Sequence, residues 1–99
     1  MNELLSFVAK NHDKLVLSDR QALVKISNQI EALKKVKDQK EKNLSKQAIE
    51  QTLKGLEKVA QTTRYSDPGH TSPYVDPKNR AILQNAVAVA RRLLREALL

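Results

Sequence analysis

No cysteine occurs in the 99-residue sequence. That excludes disulfide staples and thiolate metal sites, and it leaves a reducing compartment as the default. There are only 2 glycines and 3 prolines, and four of these five residues (Pro68, Gly69, Pro73 and Pro77) fall in or beside one segment. A β-sandwich or barrel needs turn residues spread along its length, so neither fits. Aromatics make up 3%, and a core must therefore be built from Leu, Ile, Val and Ala, as in helical bundles. No apolar run approaches the roughly 20 residues of a membrane span, and the N-terminus lacks the basic region and apolar core of a signal peptide. The sequence reads as soluble and cytoplasmic, without a membrane partner.

Apolar residues make up 40%, too many for a mainly disordered chain and enough for one small domain with a modest core. The formal charge of +7 favours polyanionic partners such as nucleic acid, although a merely basic soluble protein also carries such a charge.

The most strongly patterned stretch runs from Asp76 to Leu99. Asp76 suits an N-cap and Pro77 the first helical position, where a missing N–H costs nothing. Ile82, Ala86, Val89 and Leu93 form one stripe; Leu83, Val87, Ala90, Leu94 and Ala97 form a second beside it. Between Ala86 and Ala90 the helix is apolar nearly all round, which predicts a central position against more than one neighbour.

Upstream, Leu4, Leu5, Phe7, Val8 and Leu15 predict a short amphipathic helix over 2–16 with Phe7 as a core anchor and Asn11, His12 and Asp13 at its fraying end. Ser18-Asp19-Arg20-Gln21 fits a capping box, followed by a seam of Leu23, Ile26, Ile30 and Leu33 over 19–37. The apolar pattern lapses in KKVKDQKEK, residues 34–42. A continuous helix from 19 to 61 would carry its seam on Lys37, Lys40, Leu44, Gln47 and Gln51, of which only Leu44 is apolar. A break is therefore expected, with Ser45 capping a third helix over 45–61. Gly55 inside that helix costs about 1 kcal/mol against alanine, which a close helix crossing would offset. The segment 62–76 then reads as a loop, turned at Asp67-Pro68-Gly69. The expectation is an all-α fold, a single domain over 1–99, built as a small antiparallel helical bundle of about four helices with one long loop before the C-terminal one.

Catalytic parts are scarce. There is no glycine-rich phosphate loop, no paired-histidine zinc motif and no cysteine nucleophile. Asp67, His70 and Asp76 are the only loop residues suited to acid–base or metal chemistry, and turn formation and capping account for both aspartates. The sequence predicts no enzyme, no cofactor and no metal.

Three sets of residues suit nucleic acid. Lys34, Lys35, Lys37, Lys40, Lys42 and Lys46 could neutralise phosphates without reading bases, though a solvated helix end softened by Asp38 and Glu41 looks the same. Arg91, Arg92 and Arg95, with Arg80 one face away, suit bidentate phosphate contacts, and the helix dipole explains cations there nearly as well. Arg64, Tyr65, His70 and Tyr74 offer stacking faces beside cations, useful for unpaired bases, unless the tyrosines simply pin the loop to the bundle.

Asn43-Leu44-Ser45-Lys46-Gln47-Ala48-Ile49-Glu50, followed by Leu53, Leu56 and Glu57, resembles the recognition helix of a winged helix-turn-helix regulator, with the 64–79 segment standing where the wing belongs. That fold also needs a short apolar helix just before, where this chain has KKVKDQKEK, and 75–79 lack β alternation. In size, charge and lack of cysteine the chain resembles the small backbone-binding subunits of CRISPR effector complexes, without a motif to carry the likeness. The function expected is that of a non-catalytic accessory subunit holding nucleic-acid backbone, DNA or RNA, within a larger assembly. The alternatives are a protein-interaction or oligomerisation module docking through its apolar C-terminal helix and, second, a helix-turn-helix-like DNA-binding regulator.

Overall fold

Asn2 begins the first helix, α1 (Glu3–Lys10), by accepting the Leu5 N–H on its side-chain oxygen at 2.9 Å. The same side chain donates to Ser27 Oγ, so one residue caps α1 and ties it to the second helix. These contacts belong to a computed structural model, which describes residues 2–61 and 76–99. The remaining helices are α2 (Leu17–Leu33), α3 (Gln39–Gln61) and α4 (Pro77–Leu98), and no strand occurs among the described residues. The architecture is the expected all-α bundle.

Each helix contributes one stripe to a single core. Leu4 and Val8 come from α1; Leu23, Ile26, Ile30 and Leu33 from α2; Ile49, Leu53, Leu56 and Ala60 from α3; Leu83, Ala86, Val87, Ala90 and Leu94 from α4. The α2 seam is the one the spacing predicts. The 45–61 spacing predicts an apolar face of Ala48, Ile49, Leu53, Leu56, Val59 and Ala60, from which Ala48 and Val59 depart by staying exposed. Phe7 is half-buried at the edge of the core rather than anchored within it. Helix α4 packs against the other three, and α2 does the same, so the centre is shared by two helices.

Several helix ends set by polar residues differ from the expectation. α1 stops at Lys10 because Asn11 folds back, its side chain donating to the Phe7 carbonyl at 2.9 Å; a 3-10 turn at His12–Lys14 follows. No Ser18 capping box forms. α2 starts two residues earlier, at Leu17 behind Val16, and Arg20 fastens the approach by donating to the His12 carbonyl at 2.6 Å and the Leu15 carbonyl at 2.8 Å.

The break after α2 is present, but shorter than expected. α2 ends at Leu33, and α3 begins at Gln39 rather than Ser45. Asp38 is the effective cap: its carboxylate accepts from the Lys40 N–H at 2.9 Å, and its carbonyl from the Lys42 N–H at 3.0 Å. Ser45 lies inside the helix, half-buried. Lys, Gln and Glu are good helix formers, so the first turns of α3 need no apolar face of their own. Asp76 caps α4 as expected, accepting from the Lys78 N–H at 2.9 Å with Pro77 in the first turn.

Gly55 is not a crossing point. A Cβ built there meets no atom within 4 Å, and the residue is exposed. Gly55→Ala should therefore stabilise the fold by about 0.5–1 kcal/mol through helix propensity alone. Thermal denaturation followed by circular dichroism checks this, with a rise in Tm of about 2–8 °C expected.

Candidate nucleic-acid interface

Four cross-helix pairings fix how the bundle runs. Asn2 reaches Ser27 and Glu31, and the Glu3 carboxylate accepts from Arg92. Glu57 accepts from Arg91 at 2.8 Å, while Lys46 and Glu50 line one groove with Arg91, Leu94, Arg95 and Leu98. Ala32 of α2 shares a hollow with Leu44, Ser45 and Ala48 of α3. These pairings hold only if successive helices run up, down, up and down. One end of the bundle therefore gathers the start of α1, the end of α2, the start of α3 and the end of α4.

Two of the three cationic sets meet at that end. Residues 34–46 carry six lysines against Asp38 and Glu41, a net +4 out of the chain's +7. Lys34, Lys35, Lys37 and Lys40 are exposed, whereas Lys42 and Lys46 are half-buried. Lys46 faces Arg91 and Arg95 across the α3–α4 groove, whose volume is about 250 Å³.

Carboxylates claim part of this charge. Arg91 pairs with Glu57 at 2.7 Å, joining α4 to α3. Arg92 pairs with Glu3 on α1 and, at 3.6 Å, with Glu96. The hydrogen bond to Glu3, reinforced by its charge, holds the Arg92 guanidinium above its ordinary pKa. Lys34 pairs with Glu31 at 3.2 Å. That hydrogen bond, and then the one from Asn2, hold the Glu31 carboxyl below the ordinary glutamate value. Arg95 has no ion-pair partner among the described residues and is the one α4 arginine at this end with its guanidinium uncommitted.

Arg80 does not join the cluster. It sits on the first turns of α4, 15 residues before Arg95, which is roughly 22 Å along a helix. Arg64, Tyr65, His70 and Tyr74 lie outside the described residues, as do Asp67 and the rest of the expected loop up to Val75. Asp76 is spent on capping α4. Among the described residues no three His, Cys, Asp or Glu side chains converge on a point where a metal could sit, and no helix is long and apolar enough to cross a membrane.

No protein-family model, curated protein or solved structure matches the chain.

Two further features bear on partners. Residues 43–50, which resemble a recognition helix, lie within the 23-residue α3 rather than opening a helix, and the helix before them is 17 residues long. The apolar faces of α4 are largely covered: Ile82, Val89, Leu93, Ala97 and Leu98 pack partly buried against the core, leaving Leu99 exposed. The exposed large hydrophobics lie mainly elsewhere, with Leu17 and Val24 on α2 and Leu44 and Val59 on α3. Leu17 and Val24 could have been noticed in the sequence, because both fall off the Leu23–Leu33 seam.

Proposed function

We propose that this chain is a non-catalytic, basic accessory subunit that holds nucleic-acid backbone within a larger protein–nucleic acid assembly. One observation carries the reading: cationic segments far apart in sequence, 34–46 and 91–95, share one end of the bundle. Lysines on flexible stems suit phosphates as point charges, and Arg95 adds a planar fork for a phosphate oxygen pair. Such contacts position a backbone and carry no sequence information.

The test is fluorescence anisotropy with labelled single- and double-stranded DNA and RNA at low and physiological salt. About five phosphate contacts give a slope of roughly −4 to −5 in log K against log salt, and so a loss of several hundred-fold between about 50 and 200 mM. A steep slope, alike for unrelated sequences, is the expected result. No binding to any probe at low salt would overturn the reading and favour the protein-interaction alternative.

A further inference from the structure

Helix α2 turns a second, partly apolar stripe outward, away from its core seam. Leu17, Gln21, Val24, Asn28 and Ala32 recur at steps of three and four residues, so they lie on one face. With Val8 of α1 and His12 of the turn that follows it, they border a groove of about 650 Å³. Leu17 is 59% exposed and Val24 38%, so the groove keeps two large apolar side chains in water. From Leu17 to Ala32 the stripe spans roughly 22 Å, the length of about four helical turns.

Charge says what fits there. His12, Arg20 and Lys25 line the groove, and among the described residues no aspartate or glutamate does. A second copy seated on this face would set Arg20 and Lys25 against like charges, because a two-fold interface pairs the same patch with itself. On a chain of net charge +7 that disfavours self-association.

The geometry points to α2 as a docking site for an amphipathic helix of a partner protein, about four turns long, apolar on one face and acidic along its flanks. Helix-in-groove recognition uses this combination of apolar anchors at i, i+3, i+4 and i+7 with a charged rim. The site lies along the side of the bundle and ends at Ala32, beside the basic end, and the docking proposal uses none of the lysines proposed for phosphate contact.

The experiment titrates the full chain with a fluorescein-labelled synthetic helical peptide of about sixteen residues, leucine on one face and glutamate on both flanks. Anisotropy gives affinity, and ¹⁵N chemical shifts give location. Saturable binding is expected, with shifts confined to 17–32 and the end of α1. Val24→Glu and Leu17→Glu, at positions 38% and 59% exposed, should each weaken it by about tenfold or more with the helical circular dichroism of the wild type retained. The same peptide with every glutamate replaced by lysine should bind at least about tenfold more weakly. The proposal fails if the acidic peptide does not bind, if both variants bind it as the wild type does, or if the lysine peptide binds equally well. It fails equally if sedimentation shows a dimer that Val24→Glu dissociates, since a second copy would then be the occupant.

Discussion

Leu83→Ala is expected to lower the free energy of unfolding by about 2–5 kcal/mol. Leu83 is fully buried on α4, a helix that packs against α1, α2 and α3. Truncation removes apolar surface that folding takes out of water and leaves a cavity that rigid neighbours refill only in part. A small domain holds about 5–15 kcal/mol in all, so this one side chain accounts for a large share of the margin. At about 4–8 °C per kcal/mol for a domain of this size, Tm should fall by more than about 8 °C. The matched control is Leu44→Ala. Leu44 is 61% exposed on α3, so the same chemical change should alter stability by no more than about 0.5 kcal/mol. Equal losses in the two variants would show that Leu83 does not sit in the common core.

The contrast between Leu83 and Leu44 also marks how far the sequence could be read. Where a helix faces the core, apolar spacing alone identifies it: Leu23, Ile26, Ile30 and Leu33 are buried, and so are Leu83, Val87, Ala90 and Leu94. Where a helix runs beyond the core, the spacing is silent. The first turns of α3 are polar and mostly exposed, and only helix propensity and the Asp38 cap mark their start. Ser45 and Ser18 are good capping residues by type, yet each lies inside a helix. A cap forms where the backbone turns, and tertiary packing chooses that place. Ser27 was equally hidden: it is a polar residue beside the α2 seam, buried because Asn2 donates to it from α1.

The candidate interface was legible as residues and illegible as an arrangement. Six lysines within 34–46 are plain in the sequence, as are three arginines near the end of α4. That they share an end follows only from the up-down order of the helices. The commitment of Arg91 to Glu57 and of Arg92 to Glu3 depends on partners 34 and 89 residues away. These ion pairs divide the arginines into two that join helices and one, Arg95, that stays available. The lysine turn is thus the main reservoir of uncommitted charge at this end.

Reversing Lys34, Lys35 and Lys37 to glutamate together should therefore abolish most nucleic-acid binding. The change takes residues 34–46 from net +4 to −2 by replacing three positive charges with three negative ones. If each lysine meets one phosphate, the salt slope becomes shallower by roughly 2.7. Affinity at low salt should fall by about 100-fold or more, by a similar factor for every sequence tested, because phosphate contacts do not read bases. All three side chains are exposed, and Lys34 alone has a described ion-pair partner, so the fold should remain intact by circular dichroism. The decisive comparison is a second triple variant, Lys10→Glu, Lys14→Glu and Lys78→Glu, with the same change in net charge toward the other end of the bundle. It should retain most of the affinity, losing only the long-range attraction that salt screens. If the two triple variants lose affinity alike, overall charge rather than the shared lysine and arginine end is responsible, and the proposed interface is wrong.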